Sequence, residues 1–165
     1  MTDTTKDNII KYCKEDNIPC VDSSSRNPHF VWSLDINPLT IYAKPEFPQR
    51  IFIQSQIMFG DLEKTVNEWN EAKKNNFTIE LRTFALLHNI NLDLIKDSKG
   101  RITAIILYKV HYHTSISKSD FIPLQLRVRN IQEILLFRLG ALLGTEVKKL
   151  QAQQKTDSST NPAIM

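Results

Sequence analysis

Hydrophobic residues alternate with polar ones in three stretches of the first half of the chain. The alternation is clearest at residues 31–36, and it recurs at 40–44 and 50–59. A strand turns successive side chains to opposite faces of its sheet, so this period of two predicts three β-strands. The short, proline-containing connections favour an antiparallel meander, because tight turns join neighbouring antiparallel strands.

Helical spacing replaces the alternation on both sides of these strands. The apolar positions predict a first helix over residues 6–16, before the strands begin. After the third strand, apolar residues from Leu62 to Trp69 recur every three or four positions, as they do on one face of a helix. The polar run at 73–76 is predicted to end that helix, and another helix is predicted over 78–88.

A second group of strands follows these helices. The turn at residues 97–100 is typical of a β-hairpin, with Gly100 free to adopt a positive φ. It joins a strand that contains Leu92 and Leu94 to a longer strand over residues 102–114. The even-numbered residues of the longer strand are predicted to face the core: Ile102, Ala104, Ile106, Tyr108, Val110 and Tyr112.

The chain closes with a long helix and a polar tail. The helix is predicted over residues 119–151, and residues 151–165 are predicted to be a disordered tail, because this polar sequence has nothing to bury. The resulting order of elements is α-βββ-αα-ββ-α. Residues 1–150 are therefore predicted to form a single α+β domain, a five-stranded antiparallel sheet with helices packed on one face.

A short segment in the second half of the chain carries a resemblance to a known family. The sequence LRTFALLHNINL at residues 81–92, followed by a hairpin and by SKSDF at 117–121, resembles an archaeal family of unknown function. Over residues 5–145 the order of elements is similar to the type III secretion chaperone-like fold of that family. The secretion chaperones dimerise and bind unfolded client segments along the sheet. The resemblance therefore implies a binding role, and it implies no catalytic residues.

Composition and targeting signals set the expected location. No apolar run approaches the ~20 residues needed to span a bilayer, and the first residues lack the pattern of a signal peptide. A cytoplasmic protein with no membrane partner is therefore expected. The two cysteines, Cys13 and Cys20, fit a reducing compartment, and Cys13 is predicted to be buried as a small apolar side chain.

The histidines are the first candidates for chemistry. His111 and His113 share one face of a predicted strand, but no third ligand with recognisable spacing stands nearby, and zinc needs three or four. His88 ends an apolar helix face and is predicted to be structural. The sequence contains no phosphate-binding glycine loop and no hydrolase motif. We therefore expect no metal, no cofactor and no enzymatic activity.

Basic residues are concentrated in the last third of the chain. Residues 101–165 contain nine Lys or Arg and four Asp or Glu, whereas the whole chain has a net charge of +3. Arg127 and Arg138 share a helix face, which allows a phosphate-contacting stripe as one alternative. A solvated helix face explains the same pattern, and nucleic acid is not the expected partner.

The final helix is apolar around most of its circumference. Its predicted core stripe consists of Leu124, Val128, Ile131, Leu135, Leu139 and Leu142. Further apolar and small residues point elsewhere and are predicted to form an interaction surface: Ile134, Leu136, Phe137, Gly140, Ala141, Leu143 and Gly144. One sheet face cannot cover all of these residues, so burial against a partner is one interpretation. A core helix enclosed by its own domain is the other.

These observations favour a non-enzymatic, chaperone-like module that binds a protein or peptide. The expected partners are a second copy of the chain, in a homodimer, and a client protein or peptide. Two alternatives stay open. The first is a nucleic-acid-associated protein that uses the basic C-terminal helix, and the second is an enzyme or small-ligand-binding domain with a pocket between sheet and helices.

Overall fold

The structure, a computed structural model, describes residues 3–60, 62–112 and 115–159, with side chains described up to Gly144 in the last helix. The helices are α1 (Asp3–Glu15), α2 (Leu62–Glu68), α3 (Glu71–Leu87) and α4 (Lys118–Ser159), with a 3-10 turn at Ser24–Arg26. The strands are β1 (Val21–Asp22), β2 (Trp32–Ile36), β3 (Leu39–Lys44), β4 (Phe47–Met58), β5 (Asn91–Lys96) and β6 (Ile102–His111).

All strands belong to one antiparallel sheet with the order β1-β2-β3-β4-β6-β5. The predicted α+β class and the antiparallel sheet are confirmed, but the sheet has six strands where five were predicted. The additional strand, β1, changes the order of elements to α-ββββ-αα-ββ-α. This strand has only two residues, which pair with Leu34 and Asp35. Two residues are too few to show the alternation from which a strand is predicted.

All four helices contribute side chains to one hydrophobic core that covers one face of the sheet. Ile51, Ile53 and Ile57 of β4 point into this core, as the alternation predicts. The helices supply, among others, Ile9, Cys13, Val66, Phe77, Leu81, Phe84, Phe121, Val128 and Leu135. Within the described ranges, no helix combines the length and the apolar character needed to cross a membrane.

Among the predicted core residues of β6, Ile102 and Ala104 are buried, but the assignment is wrong from Ile106 onward. Ile105 and Leu107 are completely buried, whereas Tyr112 is 65% exposed. The cause is an irregularity in the pairing with β5, where Lys96 pairs with Ile102 but Ile95 pairs with Ala104. Thr103 is thus an extra residue in β6. A β-bulge of this kind moves every later side chain to the opposite face, so the odd-numbered residues face the helices.

The break between α2 and α3 lies earlier than predicted. Asn70, and not the polar run at 73–76, separates the two helices. The Asn70 side chain accepts a hydrogen bond from the backbone N–H of Lys73 at 2.9 Å. It satisfies one of the free N–H groups of the first turn of α3, which is the role of an N-cap residue. The run at 73–76 continues α3 because it contains neither proline nor glycine.

The core stripe of α4 is displaced by one residue near its end. Val128, Ile131, Leu135 and Leu139 lie in the core as predicted, but the next core residue is Leu143, and Leu142 is 38% exposed. The structure carries α4 to Ser159, so that residues 151–159, assigned above to the tail, are helical. Residues 160–165 lie outside the described part of the chain. That the tail is dispensable stays a prediction.

Candidate protein-interaction surface

A groove separates α3 from α4, which run in opposite directions. The backbone carbonyl of His88, at the end of α3, accepts a hydrogen bond from Arg127 near the start of α4. Phe84, one turn earlier in α3, lies beneath Arg138, further along α4. Between the helices lies a cavity of about 430 Å³, which we call the α3–α4 groove. Its apolar walls include Phe77, Leu81, Phe84, Leu135, Leu139 and Leu142.

The rim of the α3–α4 groove carries exposed apolar side chains. Phe137 lines the groove, yet 81% of its surface is exposed, and Leu142 is 38% exposed. The guanidinium carbon of Arg138 lies 5.2 Å from the centre of the Phe84 ring, a cation–π contact that holds this arginine across the opening. Glu80 lines the opposite side. The α3–α4 groove is therefore apolar inside, with one acidic and one basic side chain, Glu80 and Arg138, at its rim.

The structure brings six of the seven predicted interaction residues to the protein surface. Ile134 is 42%, Leu136 46% and Phe137 81% exposed. Gly140, Ala141 and Gly144 are exposed as well. Leu143 is the exception, because it is completely buried in the domain's own core. The assignment of Leu143 to the interaction surface is therefore wrong. The core stripe of α4 is displaced by one residue, so Leu143 takes the core position that was predicted for Leu142.

The two glycines of α4 face open space. A Cβ atom built on Gly140 or on Gly144 would meet no described atom within 4 Å. A glycine inside a helix costs about 0.5–1 kcal/mol relative to alanine. The described part of the domain thus contains no close contact that would require a glycine at either position.

The gap between α3 and α4 continues toward the start of α4, where its lining is more polar. A second cavity, of about 390 Å³, is lined by Leu87, Leu126 and Ile131 together with Arg127 and His88. Leu87 is 76% exposed and Leu126 is 42% exposed. Exposed apolar side chains therefore occur at both ends of the gap between α3 and α4, and exposed apolar surface commonly marks interaction sites. The α3 side of this surface was missed by sequence reasoning, which examined α4 alone.

The histidines take part in structural contacts. His88 is the C-cap of α3, where its backbone N–H bonds to the carbonyls of Phe84 and Leu86, and its ring lies 4.4 Å from that of Phe84. The Nε2 atom of His111 lies 3.1 Å from the carbonyl oxygen of Ser115. His113 falls outside the described residues. Among the residues that are described, no three His, Cys, Asp or Glu side chains are grouped as metal ligands.

The two cysteines lie next to each other, which their separation in the sequence did not predict. Cys13 is fully buried, as predicted, and Cys20 is half-buried at the edge of the core. The hydrogen bond with Cys20 and burial raise the pKa of the Cys13 thiol, whereas the same hydrogen bond lowers the pKa of Cys20. Both cysteines are free thiols, so a hydrogen bond, and not a disulfide, connects α1 to the segment before β1.

The arginines of α4 have partners within the domain. Arg127 donates to the His88 carbonyl at 3.3 Å, and Arg129 lies 3.4 Å from Glu133. Arg138 is held over Phe84. The side chains of Lys148 and Lys149 lie outside the description. The arginine positions that suggested a phosphate-contacting stripe are thus occupied by intramolecular contacts.

The face of the sheet opposite the helices carries an aromatic cluster that sequence reasoning also missed. Tyr42 stacks between Phe30 and Phe52, and the centre of its ring lies 4.1 Å from that of Phe30 and 5.2 Å from that of Phe52. The Tyr42 hydroxyl donates to Gln54 Oε1 at 2.7 Å. Tyr108 contacts Phe52 from the neighbouring strand. Burial, with smaller contributions from Tyr108 and Asp93, raises the pKa of Tyr42 to about 12. Of these residues only Tyr108 lies on β6, where the bulge at Thr103 reverses the predicted faces of the strand.

This architecture recurs in a solved structure. An uncharacterized protein from Methanothermobacter thermautotrophicus superposes with a TM-score of 0.68, over 84% of this chain and 99% of its own. The two proteins share one fold. Their sequences are 10% identical, so the similarity concerns the fold alone. The archaeal neighbour agrees with the predicted resemblance to an archaeal family of unknown function. No protein family and no curated protein matches the chain.

Proposed function

We propose that the protein is a non-enzymatic, chaperone-like protein-binding module that forms a homodimer through the α3–α4 groove and its rim. One observation carries this proposal: the most exposed large apolar residue in the part of α4 whose side chains are described, Phe137, stands beside an apolar groove of about 430 Å³. In a two-fold dimer the same surface of both copies forms the interface. A protruding side chain and a groove on that surface can therefore fill each other across the interface.

The proposed contact places Phe137 of each copy in the α3–α4 groove of the other. Burial of a phenylalanine side chain contributes roughly 1.5–3 kcal/mol, and a two-fold interface contains this contact twice. The neighbouring Leu142 and Leu136 would lose their exposure at the same time. Because Gly140 and Gly144 face open space, the partner's backbone can approach α4 closely at these positions. Such an approach accounts for two helix-weakening residues in one exposed stripe.

A client protein or peptide is the second partner in this proposal. The support is the resemblance to the secretion chaperones, which bind client segments as dimers. The intramolecular contacts of Arg127, Arg129 and Arg138 favour protein binding over the nucleic-acid alternative, because these guanidinium groups already have partners in the domain.

Sedimentation equilibrium of two matched variants tests the proposed interface. Phe137→Glu places a charge at the proposed contact, and Met58→Glu places the same charge at a 64% exposed apolar residue on β4. We expect the first variant to be monomeric and the second to dimerise like the unaltered protein. Both should retain the circular dichroism spectrum, since each altered side chain is mostly exposed. Equal masses for the two variants would contradict the proposed interface.

A further inference from the structure

The free edge of β5 forms a second surface, on another side of α3. In the sheet order β5 is the last strand, and within the described part of the chain it pairs with β6 alone. In an antiparallel pair, every second residue directs its backbone N–H and C=O groups away from its neighbour. Along the six residues of β5, backbone donors and acceptors therefore point out of the sheet. Such an edge is a template for one more strand.

A groove runs beside this edge, between β5 and α3. Its volume is about 460 Å³. Lys74, Thr78 and Arg82 line it from α3, where their spacing of four residues places them on one helix face. Leu92 and Leu94 line it from β5 and are half-buried against the core. A strand added to β5 would thus direct alternate side chains into a groove with an apolar floor and a polar wall.

The charges of this groove are not balanced within the domain. Lys74 pairs with Glu71 at 3.4 Å, but neither Arg82 nor Lys96 pairs with any acidic side chain of the described chain. Asp93 also lines the groove, but its carboxylate interacts with Tyr108 of the neighbouring strand rather than with Arg82 or Lys96. Two cations without counterions therefore flank the groove, one on α3 and one at the end of β5. A complementary ligand would carry negative charge.

We infer that the edge of β5 and the groove beside it bind an extended acidic segment of a partner protein, which adds to the sheet as a seventh strand. Main-chain hydrogen bonds to β5 would provide the affinity. Acidic side chains at alternate positions would meet Arg82 and Lys96, and intervening residues would face the opposite side. This inference is independent of the homodimer, because the α3–α4 groove lies on a different face of α3.

Two synthetic peptides serve as probes for this edge. One alternates valine with glutamate over seven residues, the other alternates valine with lysine, and both are capped at their ends. In a titration of the full-length protein followed by amide NMR, the glutamate peptide should shift the amides of β5 and of the groove residues of α3. The lysine peptide should bind at least about fivefold more weakly, and N-methylation of alternate backbone nitrogens of the glutamate peptide should abolish binding.

Charge reversal on the protein provides the matched test. Arg82→Glu combined with Lys96→Glu should weaken binding of the glutamate peptide by about fivefold or more. Lys11→Glu combined with Lys14→Glu makes the same change in net charge on α1, which does not line the groove, and should leave binding unchanged. A monomeric Phe137→Glu variant should bind the peptide as the unaltered protein does.

Several results would overturn the inference. Equal affinity for the two peptides, no binding of either at millimolar concentration, or equal effects of the two charge-reversal pairs would each contradict it. Amide shifts confined to the α3–α4 groove would contradict it as well. Shifts of β5 that grow with protein concentration in the absence of peptide would assign this edge to a second copy of the chain and would also contradict it.

Discussion

At the scale of single residues, Tyr42 is the titratable group whose environment has the clearest consequence for stability. Tyr42 is 4% exposed, its ring lies between Phe30 and Phe52, and its hydroxyl donates to Gln54. Burial disfavours the charged phenolate, and this raises the pKa of Tyr42 to about 12. The folded state therefore binds this proton more tightly than the unfolded chain, whose tyrosines titrate near pH 10.

We predict that the free energy of unfolding falls as the pH rises from about 10 toward 12. The unfolded chain releases the Tyr42 proton first, so stability that is complete below pH 10 is lost as the pH approaches the folded-state pKa. The full shift corresponds to about 2–3 kcal/mol, and about half of it, ~1.4 kcal/mol, should be lost between pH 8 and pH 11, as measured by urea denaturation.

Tyr42→Phe should remove much of this alkaline dependence. It should also cost about 1 kcal/mol at pH 8 through the lost hydrogen bond to Gln54. Tyr112→Phe is the control, because Tyr112 is 65% exposed and its replacement should change neither quantity. The same alkaline loss of stability in both variants would contradict the assignment to Tyr42.

At the scale of elements, prediction succeeded where one period extends over several residues. The alternation in β2 and β4 and the helical spacing of α3 and α4 are set by one buried face, which the sequence records directly. Prediction failed where a single residue determines the face of a strand or the boundary between two helices. Thr103 reverses the faces of β6, and Asn70 separates α2 from α3. A bulge or a helix cap depends on local hydrogen bonds, which produce no periodic pattern in the amino-acid sequence.

The cap at Asn70 leads to a prediction about α3. Asn70→Ala removes the side-chain acceptor for the Lys73 N–H and should lower the free energy of unfolding by about 1 kcal/mol. Asn76→Ala, at an exposed position inside the same helix, should be neutral or slightly stabilising, because alanine is the better helix former. Thermal denaturation measures both changes. Equal effects would show that Asn70 does not act as the cap.

The end of α4 leads to a second prediction at this scale. Removal of residues 152–165 should change the melting temperature by no more than about 2 °C, because this polar sequence has no apolar periodicity with which to dock. Differential scanning calorimetry of the full-length and shortened chains makes the comparison. A decrease of many degrees would show that the tail packs against the domain.

At the scale of the whole molecule, the surfaces that matter are formed by elements far apart in the sequence. The excess of apolar residues on α4 predicted an interaction surface there, and six of its seven residues are exposed. The opposite wall of the α3–α4 groove comes from Phe77, Leu81 and Phe84, which their spacing identifies only as core residues. The gap between two helices is a property of the packed domain, and no pattern within one helix reveals it.

The mass of the unaltered protein in solution tests the central proposal most directly. Multi-angle light scattering at micromolar concentration should give about twice the 19.1 kDa of the chain, since mutual burial of Phe137 removes the largest exposed apolar side chain of α4. A mass of 19.1 kDa that stays constant as the protein is concentrated would contradict the homodimer. The α3–α4 groove would then be an open surface of a monomer.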